Sequence, residues 1–373
     1  MSINETAPQA HTSPADPPRR ILVARLSAVG DVVRTIPAVR AVRHLFPDAE
    51  IHWLVEDRCA AVLEGLPDIR RLVLVPRRLF HRGSPPARAH ALVRFLGELR
   101  ATRYDLYLDF HGLLKSALYG WLAGIPRRVG YSAVLAREGS HRFYTETVAA
   151  VTARLSRYER NFLIPRHFDP SLTMERPGLP LTAAERDFAR RFMAQAGLAP
   201  CGFFLLHPGT SPRGRYKQWP PERFAALADL LRESTGQPAV ISWGPGEEEL
   251  AETVRARCRT ESMVMPPSSL RELSAVIGQA RLCVANDSGP LHMASALGTP
   301  VVTVLGPSDP VINEPAPFTP FRVVYAGVDC SPCRKKRCRT LECLRAVSPE
   351  QVHAAALDLL AEVDKAGRKE NPL

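Results

Sequence analysis

Short continuous apolar runs alternate along this chain with longer stretches in which apolar positions recur at helical spacing. Ile21-Leu22-Val23-Ala24-Arg25-Leu26 reads as a buried strand, and Val32, Val33, Ile36, Val39, Val42 and Leu45 give region 31–45 a helical period. Further short strands are expected at 51–55, 72–75 and 106–109, separated by helical stretches such as 89–100. After a linker-like stretch at 175–180 the pattern restarts, with strands at 203–207, 239–242, 263–265, 282–285 and 301–305. A helix is expected near 221–233 and another at 349–364. Such alternation predicts an α/β chain of parallel sheets covered by helices: two Rossmann-like, doubly wound domains facing a central cleft. The expected boundaries are a disordered tail at 1–18, one domain at 19–180, a second at 181–348, and a closing helix and tail at 349–373.

The chemistry gathers at the turns. Asn286-Asp287-Ser288-Gly289-Pro290-Leu291-His292 follows the apolar run Leu282-Cys283-Val284-Ala285 and opens into a helix, so backbone N–H groups and a helix dipole point at whatever lies before the turn. That arrangement suits an anion, a phosphate above all. The next run, Val301-Val302-Thr303-Val304-Leu305, makes a strand–helix–strand unit with the turn at the carboxyl end of its first strand, where open α/β sheets bind ligands. Neither a G-x-G-x-x-G after the first strand nor a G-x-x-x-x-G-K-[ST] occurs, which removes support for dinucleotide redox chemistry and P-loop phosphoryl transfer. The first strand leads instead into Ser27-Ala28-Val29-Gly30-Asp31, a turn with one glycine and one carboxylate at a helix start.

Composition changes the picture only where charge is concerned. The 373 residues are 45% hydrophobic and 23% charged, ordinary for a globular protein, and no run of about 18 apolar residues predicts a membrane span. Residues 1–18 lack an apolar core segment, so neither a secretory signal nor an anchor is expected there and the protein reads as cytoplasmic. Residues 1–180 hold 26 Lys and Arg against 17 Asp and Glu, whereas 181–373 hold 23 against 21. Arg70, Arg71, Arg77, Arg78, Arg82 and Arg88 form the densest basic cluster. Nucleic acid, anionic lipid and a phosphorylated sugar all suit such a patch, as does a merely solvated arginine-rich surface. No aromatic RNA-binding signature accompanies it, so no nucleic-acid partner is expected.

The turns described above, with Asp109-Phe110-His111-Gly112-Leu113-Leu114-Lys115-Ser116, His207-Pro208-Gly209-Thr210, Lys217-Gln218-Trp219-Pro220 and Trp243-Gly244-Pro245-Gly246-Glu247-Glu248, occur in the order seen in glycosyltransferase family 9. Over residues 21–352 the chain resembles that family, the heptosyltransferases. The resemblance implies a GT-B fold and an inverting, metal-independent transfer of heptose from ADP-heptose to the lipopolysaccharide inner core. It further implies an acceptor-binding domain at 19–180, a nucleotide-sugar-binding domain at 181–348, and an acceptor met at the inner membrane face. Another nucleotide sugar, or a non-catalytic anion-binding role, stays open.

Asp31 is the expected catalytic base, taking the proton of the acceptor hydroxyl; the other use of Asp there is as a helix cap. No D-x-D motif is present to hold a divalent cation, so protein groups are expected to neutralise the diphosphate. The donor-binding candidates are Thr210, Ser211, Lys217, Glu247, Asp287, Ser288, Gly289 and His292. Lys217 would pair with a phosphate oxygen and the N–H groups of Ser288 and Gly289 would meet the diphosphate, while Asp287 braces the turn or bonds a sugar hydroxyl. Glu247 would accept the ribose hydroxyls, Thr210 and Ser211 would meet phosphate, and His292 is a donor-binding candidate although a histidine there is more often a packed helix residue than a ligand. His111, Lys115 and Arg137 are the acceptor-binding candidates. Cys330, Cys333, Cys338 and Cys343 could hold zinc or an iron–sulfur cluster, but the second pair lacks C-x-x-C spacing. No cofactor or metal is therefore expected, and free thiols or a disulfide remain the alternatives.

Overall fold

The structure, a computed structural model, describes residues 17–76, 84–333, 335 and 337–367. Residues 1–16 of the expected tail, Arg77, Arg78 and Arg82 of the basic cluster, and residues 368–373 lie outside the described residues.

The first six strands are β1 (Arg20–Ala24), β2 (Glu50–Glu56), β3 (Arg71–Val75), β4 (Leu106–Asp109), β5 (Arg127–Tyr131) and β6 (Glu146–Val148). They form one parallel sheet in the order β3-β2-β1-β4-β5-β6. The second six are β7 (Phe204–His207), β8 (Ala239–Ile241), β9 (Ser262–Val264), β10 (Leu282–Asn286), β11 (Val301–Leu305) and β12 (Phe321–Tyr325), ordered β12-β11-β10-β7-β8-β9. Read from its other edge, the second sheet repeats the order of the first, the doubly wound 3-2-1-4-5-6 pattern. This is the expected pair of Rossmann-like sheets. The order reverses between β1 and β4 in one sheet and between β7 and β10 in the other. Ala24 stands beside Asp109, and Ala285 beside His207. The loops beyond those four strand ends are therefore where each sheet opens a crevice.

The helices that matter here are α1 (Val29–Val33), α2 (Ile36–Leu45), α3 (Pro85–Thr102), α4 (Leu114–Leu122), α5 (Arg157–Arg166), α6 (Ala183–Gln195), α7 (Pro221–Thr235), α8 (Glu248–Arg257), α9 (Leu270–Ile277), α10 (Gly289–Leu297) and α11 (Pro349–Lys365). The single helix expected over 31–45 is instead two, because Pro37 has no N–H to donate and its ring blocks the carbonyl four residues back. Proline is tolerated in the first turn, so α2 starts afresh beyond Thr35, whose hydroxyl donates to the Asp31 carbonyl at 2.8 Å. The inner strands β1, β4, β10 and β11 are buried on both faces and almost wholly apolar, as parallel strands covered on both sides must be. One buried apolar cluster runs through both halves, from Ile21 and Val23 to Leu291 and Val301.

Strands β5 and β6 at one edge are joined by Arg127, which donates twice to Glu146 at 2.6 and 3.1 Å, and His167 Nε2 lies 2.9 Å from the same carboxylate. These partners hold the Glu146 carboxyl down at about 2, against the opposing effect of burial. A carboxylate with a depressed folded pKa stabilises the fold fully above its unfolded value and loses that contribution as pH falls through the folded one. Discounted for the solvent that reaches this partly exposed pair, the shift corresponds to about 1 kcal/mol at neutral pH. Urea denaturation is expected to show Glu146→Gln destabilised by that order near neutral pH, with the gap to the native chain closing as pH drops from about 4.5 towards 2.

Candidate active site

Asp31 lies in the first turn of α1, whose preceding residue Ala28 supplies no side-chain cap. Its carboxylate does not cap the helix. One oxygen accepts from Arg34 Nη2 at 2.7 Å, the other meets Arg25 Nη2 at 2.8 Å, and Arg157 Nε stands 4.0 Å away. Arg25 is itself fixed, with Nη1 donating to the Phe110 carbonyl at 2.5 Å. Burial alone would raise the pKa of Asp31. The charges of Arg25, Arg34 and Arg157 outweigh it and hold the carboxyl well below the usual range. In this arrangement Asp31 is an anion over a wide pH range and a weak proton acceptor.

The second turn is built on Asn286 at the end of β10. Its buried amide accepts from the Trp219 N–H at 2.9 Å and donates to the Pro208 carbonyl at 2.7 Å, pinning three loops together. Asp287 accepts from Lys217 Nζ at 2.7 Å and from the Ser308 hydroxyl at 2.6 Å. Burial opposes its ionisation, but Lys217 and Arg34 bring its pKa below the ordinary value. Asp287 thus braces the turn, and the Lys217 charge is already shared with it. Ser288 precedes α10 in an extended conformation, with its hydroxyl unpartnered among the described residues. His292 is 1% exposed and neither ring nitrogen has a hydrogen-bond partner there. Burial and Arg34 push its pKa well down, so the imidazole is neutral.

The two turns meet. A Cβ placed on Gly30 would lie 2.7 Å from His292 Cδ2 and 3.5 Å from the Cα of Gly289, and one placed on Gly289 would lie 3.2 Å from Val29 Cγ1. Helices α1 and α10 therefore approach start to start through two glycines. Asp31, Lys217, Asp287, Ser288, Gly289 and His292 are brought to one place.

Glu247 organises a neighbouring cleft. Its carboxylate accepts from the Thr210 N–H at 2.8 Å and the Gly244 N–H at 3.1 Å, while burial raises its pKa above the ordinary value. Gly209 leaves room for this carboxylate, since a Cβ on it would stand 2.1 Å from Glu247 Oε2 and displace it from these bonds. Thr210, Arg215, Gln218, Glu247 and Thr253 help line a cavity of about 300 Å³. Ser211 is exposed and begins the turn Pro212–Lys217 that carries Lys217 back to Asp287.

Past β4, Asp109 accepts from the N–H groups of His111 and Gly112 at 2.8 and 3.1 Å and from the Tyr144 hydroxyl at 2.9 Å. Burial, Arg25 and Lys115 push the His111 imidazole down to about 3. Lys115 Nζ lies 3.1 Å from Glu56, which also pairs with Arg58 at 3.0 Å. The Arg137 N–H donates to the Gly112 carbonyl at 3.0 Å, holding that residue's segment against the same loop. Sequence reasoning missed Arg25, Arg34, Arg157, Asn286 and Ser308. Arg25 carried a signal, as a charge closing an apolar strand.

The eight cysteines are free, and among the described residues no three His, Cys, Asp or Glu side chains are grouped to hold a metal ion. The clustered segment has a packing role. The Cys333 N–H donates to the Pro307 carbonyl at 2.9 Å and the Ser331 hydroxyl to the Gly306 carbonyl at 2.5 Å, tying it to the loop that carries Ser308.

The family described as glycosyltransferase family 9 (heptosyltransferase) matches residues 92–344. The lipopolysaccharide heptosyltransferase 1 of Pseudomonas aeruginosa is 28% identical over 323 residues, spanning 86% of this chain and 87% of that protein. The crystal structure of a family 9 glycosyl transferase from Veillonella parvula superposes with a TM-score of 0.78 at 24% identity, covering 92% of this chain and 98% of the other. The E. coli heptosyltransferase WaaC with ADP-2-deoxy-2-fluoro heptose gives 0.66 at 26% identity, covering 91% and 99%.

Proposed function

Because the chain belongs to glycosyltransferase family 9 and has its GT-B fold, we propose that it transfers heptose from ADP-heptose to the lipopolysaccharide inner core. The observation that carries the reading is the meeting of Asp31 with the Asp287–His292 turn across the two sheets. Residues 19–180 act as the acceptor domain and 181–348 as the donor domain, against whose core the closing helix α11 packs through Val352, Ala356, Leu359 and Leu360.

In this reading the adenosine lies along the Glu247 cleft, with Glu247 accepting from the ribose hydroxyls and Thr210 and Ser211 near phosphate. The N–H groups at Ser288 and Gly289 and the positive start of α10 meet the diphosphate, and Lys217 shares its charge between Asp287 and a phosphate oxygen. His292 packs beneath as a neutral wall that excludes water. Asp31 takes the acceptor hydroxyl proton, and the freed oxygen attacks the anomeric carbon opposite the diphosphate. The bond from that carbon to the diphosphate oxygen breaks, its electron pair leaves with ADP, and the configuration inverts. His111, Lys115 and Arg137 face the acidic sugars and phosphates of the acceptor. The protein needs no divalent metal, because cationic side chains and N–H groups supply the charge.

No helix among the described residues is long and apolar enough to cross a membrane. Leu74, Arg70 and Arg71 are exposed on and beside the edge strand β3. We assign that side to peripheral contact at the cytoplasmic face of the inner membrane.

Release of ADP from ADP-heptose with purified inner-core acceptor, measured in EDTA, tests the reading. Turnover undiminished by EDTA is expected. A chain inactive in EDTA but restored by a divalent cation would remove the metal-free mechanism, and turnover with a non-heptose donor alone would remove the donor assignment. Glu247→Gln should raise the donor KM about tenfold with kcat nearly unchanged, since the ribose is held alike in the ground and transition states. An unchanged KM would take Glu247 out of the donor site.

A further inference from the structure

The chemistry just described leaves Arg34 without a task, although it is 6% exposed in the middle of the site. Its Nη2 bonds Asp31, but Nε and Nη1 are buried with no hydrogen-bond partner among the described residues. Buried guanidinium nitrogens are costly to leave unpaired. The residue is not frayed: its N–H donates to the Gly30 carbonyl at 3.0 Å and its carbonyl accepts from Asn161 Nδ2 at 3.0 Å. Its charge also reaches the second sheet's turn, where it acts on both Asp287 and His292.

The charged and titratable groups around Asp31 come from every side. Arg25 faces it from the end of β1, Arg34 from α1, Arg157 from α5 and His292 from α10, and its own charge is felt by His111 beyond β4 and by Cys59 after β2. A carboxylate between two arginines at 2.7 and 2.8 Å is a stable anion, and a base must give up some of that stability to take a proton. The donor diphosphate brings negative charge to the start of α10, which abuts Gly30 and lies within the field of Arg34. A guanidinium with two unpaired nitrogens can serve two anions at once.

We propose that Arg34 is a positioning residue shared between Asp31 and the donor diphosphate, so that Asp31 becomes an effective base only once the donor is bound. The inference rests on the donor reading above. As the acceptor proton moves to Asp31 and the anomeric carbon–oxygen bond breaks, the new charge falls on the departing diphosphate and Arg34 follows it. An unloaded enzyme keeps its base neutralised and does not activate stray water.

The profile of kcat/KM for the acceptor at saturating donor reports the donor-bound enzyme, whereas kcat/KM for the donor reports the free enzyme. In the native chain the acid limb of the acceptor profile is expected about one pH unit or more above that of the donor profile. Arg34→Gln should bring the two limbs together and weaken ADP-heptose binding, measured by calorimetry, about tenfold. Arg34→Lys, which keeps the charge, should restore most of that affinity. Superimposed limbs in the native chain overturn the proposal without any variant, as does native affinity in a folded Arg34→Gln protein. A native chain that binds no ADP-heptose refutes the donor reading and this inference with it. Native binding and turnover with superimposed limbs refute the role of Arg34 alone.

Discussion

Asp31→Asn is expected to lower kcat by about a hundredfold or more while donor affinity changes only a few-fold, as removal of a general base does. The amide keeps the size of the side chain and can accept from one of the two arginines, so the geometry of the turn survives. It cannot take the acceptor proton. The substitution also leaves Arg25, Arg34 and Arg157 around a neutral group, so a drop in stability is expected beside the kinetic loss. The two effects separate when turnover is scaled to the folded fraction from thermal melts under the assay conditions. Native turnover per folded molecule in Asp31→Asn would mean that proton removal is carried by another group.

Asp287→Ala is expected to lose both activity and stability, each for a separate reason. The side chain is 6% exposed and answers Lys217 and Ser308, so its removal leaves an ammonium in a mostly buried site without its partner. Breaking a fully buried pair costs about 3–5 kcal/mol, and the partial exposure of Lys217 places this one at or below the lower end. Turnover should fall by about a hundredfold because Lys217 and the Ser288–Gly289 backbone lose the brace that aims them at the diphosphate. A paired change, Asp287→Leu with Lys217→Met, should recover much of the stability by replacing the ion pair with apolar packing, yet remain inactive. Recovery of activity in the double variant would show that the pair serves the fold and nothing else.

The inner strands were legible because parallel strands buried on both faces must be apolar throughout, and β4 and β11 fall on the expected residues. Strands β5 and β6 were not. Arg127-Arg128-Val129-Gly130-Tyr131 is half polar and β6 has three residues, so neither carries an apolar run, whereas Phe321-Arg322-Val323-Val324-Tyr325 of β12 carried a β-branched signal that was passed over. The break at Pro37 was overridden by apolar spacing that continues across it. In the site, the turns were readable because backbone chemistry at a strand-to-helix junction is local. The partners were not. Asp31 meets Arg157 from 126 positions away, and Lys217 reaches Asp287 across 70, distances over which no periodicity speaks. The reading of Lys217 as a free phosphate-binding charge and of Asp31 as a base did not include the counter-ions that each is found with.

The contact between Gly30 and Gly289 has a mechanical meaning. With only hydrogen on both glycines, the starts of α1 and α10 sit so close that a carbon added at Gly30 meets the His292 ring and one added at Gly289 meets Val29, and it acts as a shim. Alanine at either position would prop the halves apart by a fraction of an ångström, and valine by more. The two glycines are thus a caliper on the molecule, one whose jaws can be set methyl by methyl without removing any charged group from the site.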